Sequence, residues 1–442
     1  MKSIDTIVAP ATPYGYSGLA IVRLSGENAM ATVLQLTNRN EGSFLPRTAT
    51  FSSIFTPEKY PFDDVVITFF PGPKSYTGED IVEISSHGSP AVVEEIISSA
   101  CRYGARLAEP GEFTRRAFLN GKMDLTQAES VAAVIHSHSI ESSRLSHRIL
   151  HGALSEKFSG IKTDLINIVS KIEFELDISE DETGAIMSQE LQTQLAASQR
   201  TVDLLLGTYK QGKLLLGGAV AVITGKPNVG KSTLLNALSN SARAITGPLP
   251  GTTRDTIDVT LLMNGVPLRL VDTAGLREAG NETEKEGVLR AHKYLESADI
   301  ILSVVDSEEK TFFVHPSIPV LKIFNKIDLF PKMVPDSEIL YISATEEKGI
   351  DSLKNNIKET LGISASLSPE ALLISNRQEY ILSACAQSLK RAQSLTSGKG
   401  DLPLEIIALE LRTALNAIDQ ILGKTTADDI LDNIFGTLCV GK

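Results

Sequence analysis

The sequence predicts a multidomain chain: an α+β domain at the N-terminus, a discontinuous α-helical bundle domain, and a doubly wound α/β domain inserted between the bundle's two halves. Three observations predict it. At 442 residues the chain is longer than one hydrophobic core usually serves. Proline is absent from 111 to 226 while apolar residues recur there at helical spacing, and the same texture returns beyond 370. Between about 213 and 368, strand-length apolar runs alternate with helical segments. The expected boundaries are 1–120, 121–212, 213–368 and 369–442.

In the first region, Gly18–Leu24, Asp64–Phe70 and Ile81–Ile84 have strand length and are bounded by Gly or Pro, and Pro90–Tyr103 reads as a helix. In the second, Leu125, Ala128, Val131, Val134 and Ile135 step by three and four, and Leu195, Val202, Leu205, Leu206 and Tyr209 continue such a face. Leu404, Ile407, Leu411, Ala414, Ile418 and Ile421 form a coiled-coil-like seam near the C-terminus. These stripes read as bundle core. In the inserted region the runs Ala219–Thr224, Ile257–Met263, Leu268–Val271, Ile300–Asp306, Val320–Phe324 and Leu340–Ser343 read as strands of a largely parallel sheet. Insertion works when a domain's termini lie close together.

Lys plus Arg number 42 and Asp plus Glu 54, a formal charge of −12, which excludes a generally basic nucleic-acid binder. A 42% hydrophobic and 22% charged composition excludes wholesale disorder. Cys101, Cys385 and Cys439 lie far apart, form no CxxC pair, and fit a reducing compartment. The longest apolar stretch, Leu214–Thr224, falls well short of the roughly twenty residues a membrane helix needs. The N-terminus lacks the layout of a signal peptide, so a soluble cytoplasmic protein without membrane contact is expected.

The strand Ala219–Thr224 runs into Gly225-Lys226-Pro227-Asn228-Val229-Gly230-Lys231-Ser232, a GxxxxGKS loop, and then into a helical stretch beginning at Thr233. Glycines let such a loop curl until successive backbone N–H groups face phosphate oxygens, and the helix dipole adds positive potential at the same spot. The stretch from Asn228 through Val229, Gly230, Lys231 and Ser232 to Thr233 is therefore the candidate phosphate cradle. Lys231 reaches the β and γ phosphates, and the Ser232 hydroxyl can ligate Mg²⁺. Asp272-Thr273-Ala274-Gly275 follows the next strand; its Asp can hold Mg²⁺ through water and its Gly N–H can touch the γ phosphate. Asn325-Lys326-Ile327-Asp328 follows Val320–Phe324. The Asp328 carboxylate can accept from guanine N1–H and the 2-amino group, a pair adenine lacks, so the nucleotide is expected to be GTP. Ser343-Ala344-Thr345 completes the guanine cradle. The four segments in this order resemble the translation-factor-related GTPases, with a Ras-like G domain.

Two departures bear on mechanism. Ras-like enzymes place Gln after the DxxG glycine to orient water, whereas this chain has Leu276. Either hydrolysis is idle or another polar group orients the water, and the stretch 277–286 carries four carboxylates. Asn228 sits three residues before Lys231, where an amide oxygen can help to coordinate a monovalent cation that supplies the charge of an arginine finger. Gly251-Thr252-Thr253-Arg254-Asp255 is the expected switch I element, with Thr253 the Mg²⁺ and γ-phosphate ligand. Arg254 is a structural residue or a dimer contact.

Motifs outside the nucleotide loops narrow the resemblance. The segments 5–13 (Asp5 to Pro13), 71–80 (Pro71 to Asp80), Ser86-His87-Gly88-Ser89-Pro90 and 106–129 (Arg106 to Glu129), with the closing Cys439-Val440-Gly441-Lys442, resemble the MnmE family over the whole chain. The resemblance implies a tRNA modification GTPase that works with a flavin-dependent MnmG-type partner in a heterotetramer or larger assembly. Its product carries an aminomethyl-type group on carbon 5 of the wobble uridine. It further implies a folate-binding N-terminal domain that forms a homodimer, taking 5-formyl- or methylene-tetrahydrofolate through Arg23, Glu83, Lys122 and Lys442. Without the family match, a surface salt bridge explains Arg23 and Glu83. Cys439 is a candidate catalytic thiol, although lone cysteines are usually packed.

In the G domain the resemblance places K⁺ at Asn228, Gly247, Leu249 and Thr252, and makes Glu284, twelve positions after Asp272, the catalytic water-orienting residue. The stretch Gly247-Pro248-Leu249-Pro250-Gly251-Thr252-Thr253 joins the nucleotide site, and its prolines stiffen it. Gly247 departs from a threonine in relatives, which is harmless if the ligand there is a backbone carbonyl and lowers K⁺ affinity if a hydroxyl is needed. His147 and His151 stand i, i+4 on an expected helix, but no third ligand accompanies them. With Arg144 and Arg148 they form a local basic stretch; weak tRNA binding that depends on the partner is expected. A ribosome-assembly GTPase and a non-catalytic GTP-controlled scaffold are the competing readings.

Overall fold

The computed structural model describes residues 5–177, 184–240, 258–272, 294–307, 311–330, 336–363, 375–396, 403–425 and 428–442. Two compact units emerge: one holds 1–132, 150–159 and 415–442, the other 133–149 and 160–414.

The first unit is built on a six-stranded sheet. Its strands are β1 (Thr6–Pro10), β2 (Ser17–Ser25), β3 (Thr50–Phe55), β4 (Pro61–Phe70), β5 (Ile81–Gly88) and β6 (Ala105–Leu107), with α1 (Ala29–Thr37), α2 (Pro90–Arg102) and α3 (Glu112–Leu119) among them. The order is β3-β4-β5-β2-β1-β6, antiparallel throughout except for β1 with β6. Alternation in β1 divides its side chains between two cores. Val8 joins Val22, Leu24, Ile84, Leu36 and Ile96 in one cluster, while Ile7 and Ala9 pack with Phe113 of α3 in another. Proline at N1 starts α2, where its missing N–H costs no hydrogen bond. α1 ends at Asn38, whose left-handed backbone lets its own N–H reach Gln35 O and the following Arg39 N–H reach Leu34 O.

One buried charge is answered on every side. Arg116 is 4% exposed, and its guanidinium donates to Glu112 Oε1 at 2.9 Å, Glu79 Oε2 at 3.1 Å and Asp5 Oδ1 at 2.9 Å. Removing Arg116 would strip the largely buried Glu79 and Glu112 carboxylates of a counter-charge. The unit is completed by α4 (Leu125–Ile135), whose Leu125 and Ala128 pack against Leu431 and Phe435 of the C-terminal helix (Asp428–Gly436).

In the second unit, α5 (Ile140–Leu150) and α6 (Ala153–Asp177), each lying mostly in it, precede α7 (Gly184–Gly217). Then come β7 (Ala219–Thr224), α8 (Lys231–Asn240), β8 (Asp258–Met263), β9 (Val266–Asp272), β10 (Ile300–Val305), β11 (Val320–Phe324), β12 (Ile339–Tyr341) and α9 (Ile350–Leu361). The helices α10 (Asn376–Thr396), α11 (Leu404–Leu422, its larger part in this unit) and α12 (Asp428–Gly436, in the first unit) close the chain.

The second sheet has the order β12-β11-β10-β7-β9-β8, parallel except for the edge strand β8. Every residue of β10 is buried, as a strand flanked on both sides and covered on both faces requires. α7 does not stop near 212: it runs to Gly217, and Gly218 alone separates it from β7. α10 lies along α7, bringing buried Leu382, Cys385 and Leu389 to the helix that buries Leu195, Val202 and Leu205. The Gln192 side chain also donates to Thr396 O. The chain that enters the α/β part and the chain that leaves it are thus held side by side. No helix among the described residues is long and apolar enough to cross a membrane.

Candidate nucleotide site and a side-chain cluster at the C-terminal residues

All the nucleotide segments described lie at the carboxyl ends of parallel strands, where α/β sheets bind ligands. β7 ends at Thr224 and α8 begins at Lys231, so six residues make the turn between strand and helix. Asn228 adopts a left-handed backbone with φ 65°, as does Gly230 with φ 92°. A Cβ on Gly230 would stand 2.4 Å from Asn325 Nδ2, so only glycine lets this loop pass its neighbour. Lys231 is 5% exposed, and its ammonium donates to Gly225 O at 3.1 Å and Lys226 O at 2.8 Å.

Ser232 Oγ donates to Asp272 Oδ2 at 2.9 Å. Asp272 is buried at the last position of β9. This hydroxyl and carboxylate are hard oxygen donors, the set Mg²⁺ takes. Asn325, buried after β11, ties two loops together: its amide donates to Val229 O at 2.9 Å, and its Oδ1 accepts from Ala344 N at 3.0 Å. Lys326 has a left-handed φ of 61° and donates from Nζ to Asn228 O at 2.8 Å and to Asp306 Oδ2 at 2.6 Å. Asp328 is exposed on a 3-10 turn, Ile327–Leu329. Ser343 and Ala344 are buried, and Ser343 Oγ accepts from Glu346 N at 3.2 Å.

In the first unit, β2 and β5 put Arg23 and Glu83 directly opposite each other. Arg23 donates from Nε at 3.0 Å and Nη2 at 2.8 Å to Glu83 Oε1, and from Nη1 to Gly441 O at 3.1 Å. Its guanidinium carbon lies 5.9 Å from the Tyr76 ring centre and 5.8 Å from that of Phe113. Burial raises the Tyr76 phenol, whose oxygen shares a hydrogen bond with Thr114 Oγ1. Burial, and after it the charge of Arg23, hold the Lys442 ammonium below the ordinary lysine range, while Glu83 opposes this. Two cations, one carboxylate and a tyrosine thus gather where the C-terminal residues return to the sheet.

Residues 125–439 match the family model described as MnmE helical domain, and 6–122 match that described as GTP-binding protein TrmE N-terminus. A protein of Nitrosomonas eutropha is 38% identical over 456 residues, covering 100% of both chains. One of Legionella pneumophila (strain Corby) is 38% identical over 453 residues, again covering 100% of both, and one of Carboxydothermus hydrogenoformans is 37% identical over 461 residues, covering 99% of each. Each of the three is named tRNA modification GTPase MnmE. The chain belongs to the MnmE family.

Of the residues expected from the MnmE resemblance, the structure brings Arg23, Glu83 and Lys442 together within one chain. Lys122 stands apart from their hydrogen bonds, with Nζ donating to Pro73 O at 2.9 Å on the loop that also carries Tyr76. The nucleotide residues Asn228, Val229, Gly230, Lys231, Ser232, Asp272, Asn325, Lys326, Ser343 and Ala344 surround the loop after β7. Gly247, Pro248, Leu249, Pro250, Gly251, Thr252, Thr253, Thr273, Ala274, Gly275 and Glu284 lie outside the described residues, as do Leu276, Arg254 and Arg277.

One sequence expectation is corrected and two alternatives are set aside. α5 ends at Leu150, so His151 lies beyond the helix that carries His147, and no metal-binding cluster occurs among the described residues. Cys439 is exposed rather than packed. The Arg23–Glu83 pair is three-quarters or more buried rather than a surface contact. Two participants carry no local sequence signal: Asp306, an acid just past a strand end, which holds Lys326, and Tyr76, whose ring faces Arg23.

Proposed function

We propose that this GTPase of tRNA modification is K⁺-dependent and switched on by dimerisation. With a flavin-dependent MnmG-type partner it modifies carbon 5 of the wobble uridine, using a tetrahydrofolate-carried one-carbon unit, in the cytoplasm. The observation that carries the reading is the end-to-end match to MnmE relatives, 100% of both chains. The assembly of the nucleotide loops at one sheet edge supports it.

In this reading the N–H groups of 228–233 bind the phosphates and Lys231 turns its ammonium from the loop carbonyls to the β and γ oxygens. Ser232 and Thr253 would hold Mg²⁺, which supplies charge to those oxygens. Asn228, Gly247, Leu249 and Thr252 would hold K⁺, which supplies the positive charge an arginine finger brings elsewhere. Asp328 accepts the two guanine hydrogens, and Asn325 keeps the base loop registered against the phosphate loop. Glu284 positions the attacking water, since Leu276 has no polar atom to do so. In the first unit, Glu83 accepts from ring N–H and amino groups of a pterin, and Lys442 and Lys122 meet its carbonyl or carboxylate oxygens. A homodimer presents two G domains to each other, and tRNA is engaged with the partner's help.

The decisive experiment is nucleoside analysis of tRNA from cells lacking the gene. Loss of the carbon-5 substituent on the wobble uridine is expected; a substituent still in place would overturn the assignment.

A further inference from the structure

α5 is anchored along one face and at both ends. Ser139 caps its start: Ser142 N donates to Ser139 Oγ at 3.0 Å, and Ser139 N donates back to Ser142 Oγ at 3.1 Å. At the other end the Leu150 carbonyl accepts from Gln127 Nε2 at 2.7 Å. Ser142, Leu145, Ser146 and Ile149 are buried, so the register of the helix is fixed and its remaining side is turned outward. That side carries Arg144, His147 and Arg148, all exposed, and exposed His151 stands just past the last turn. The spacing of three and four makes them neighbours on one stripe. Four of the chain's seven histidines fall between 136 and 151, beside these two arginines, in a chain of formal charge −12. The basic character of the stripe is therefore local and runs against the chain as a whole. The helix has one acid, Glu141, and its carboxylate closes on the turn between β8 and β9: a Cβ on Gly265 would stand 2.8 Å from Glu141 Oε2.

We propose that this stripe of α5 is a contact surface for the tRNA substrate, meeting the phosphates and unstacked bases of a single-stranded stretch. The identity of the RNA rests on the tRNA modification reading given above; the polyanion-binding stripe itself does not. From Arg144 to His151 the row rises about 10 Å, long enough to follow a strand rather than to hold one ion. Guanidinium forks take phosphate oxygens two at a time. Guanidinium planes and imidazole rings also stack on bases that have left a helix, which suits an RNA loop. Two features set an anionic membrane aside as the occupant. The row contains no lysine, and the apolar side of α5 is buried in protein instead of being available to enter lipid. On an acidic chain such a stripe attracts a polyanion only at short range, which makes salt dependence the property to measure.

The test uses the full-length protein and whole tRNA, with affinity measured by filter binding from about 50 to about 200 mM salt. Arg144→Gln combined with Arg148→Gln is compared with the parent and with Arg144→Lys combined with Arg148→Lys. A control, Lys59→Gln with Lys424→Gln, removes the same charge at exposed positions elsewhere. In the double Gln variant the slope of log affinity on log salt should become shallower by about two, and binding at the low-salt end about tenfold weaker. The double Lys variant should keep the parent slope, and the control should keep slope and affinity alike. GTP turnover and melting temperature are expected to stay at the parent values throughout, because the substituted side chains face solvent. An unaltered slope in the double Gln variant would overturn the proposal, as would a parent affinity that ignores salt. An equal loss in the control would overturn it too, by making the attraction general. Parent binding to anionic phospholipid vesicles that the double Gln variant loses, with tRNA binding intact, would give the stripe to a membrane instead. If tRNA from cells lacking the gene keeps its wobble substituent while the double Gln variant still loses salt-steep binding, the functional reading falls and the stripe stands. The reverse result overturns the stripe alone.

Discussion

Ser232 and Asp272 meet through a 2.9 Å hydrogen bond between hydroxyl and carboxylate, although forty residues separate them. The contact joins the first turn of α8 to the end of β9 and sets two hard oxygen donors side by side beneath the phosphate loop. Their pairing makes Mg²⁺ sensitivity the property to measure. Asp272→Asn should leave nucleotide affinity in EDTA near normal and remove most of the tightening that Mg²⁺ brings, about tenfold or more. Titration of a fluorescent GTP analogue with and without Mg²⁺ reads this. An Asp272→Asn protein that responds fully to Mg²⁺ would take Asp272 out of the metal site.

Asn325 contributes to the scaffold rather than to base choice. Asn325→Ala orphans the Ala344 N–H and the Val229 carbonyl, each costing about 1–3 kcal/mol when buried. The expected outcome is a lower melting temperature together with weaker binding of every nucleoside triphosphate, guanine or not. A loss confined to GTP would contradict it.

Asp328 shows the opposite pattern. Asp328→Asn keeps the exposed 3-10 turn but replaces one acceptor oxygen with a donor amide. Xanthine offers N1–H and a C2 carbonyl, which match that amide. Preference should swing from GTP to XTP with little change in stability, and competition binding measures it.

His87 donates from Nδ1 to Asp63 Oδ1 at 2.6 Å, and this hydrogen bond raises its pKa above the ordinary value. A histidine raised on folding lends stability that is fully present below the unfolded value, about 6.5, and is lost as pH climbs through the folded one. NMR titration should find His87 above that value, and Asp63→Asn should return it there. An unshifted His87 in the parent protein would refute the pairing.

The three thiols should separate by reactivity. Burial pushes Cys385 up to about 12, and it also raises Cys101, whereas Cys439 is exposed. Alkylation at neutral pH should mark Cys439 first and reach Cys385 only after unfolding, as peptide mapping would read. Early labelling of Cys385 would mean that the α7–α10 contact opens readily.

Much of the second sheet was legible because its strands are unbroken apolar runs between breakers: β7 and β11 fall at the expected residues. The last strand, expected at Leu340–Ser343, forms at Ile339–Tyr341 instead. Ser343 there bridges to Lys348 and serves the base loop, so polarity at its end moved the ladder back. β3 went unread because its Ser52 and Ser53 break the apolar signal, and the three-residue β6 carries too few side chains to announce itself. Ile135 joined a helical stripe by spacing yet is 43% exposed, since periodicity does not say where a packed face ends. Chemistry of the phosphate loop was readable because local backbone shape dictates it. The Arg23–Gly441 contact was not, since 418 positions of chain carry no local pattern that relates its ends.

α7 spans 34 residues and ends one residue before the strand that leads into the phosphate loop. At about 1.5 Å of rise per residue it is roughly 50 Å long, so each degree of tilt at one end sweeps the other by nearly 1 Å. Small rearrangements at the end of that rod next to β7 therefore emerge at its far tip as displacements large enough to make or break a hydrogen bond, and a proline placed mid-rod would uncouple the two ends.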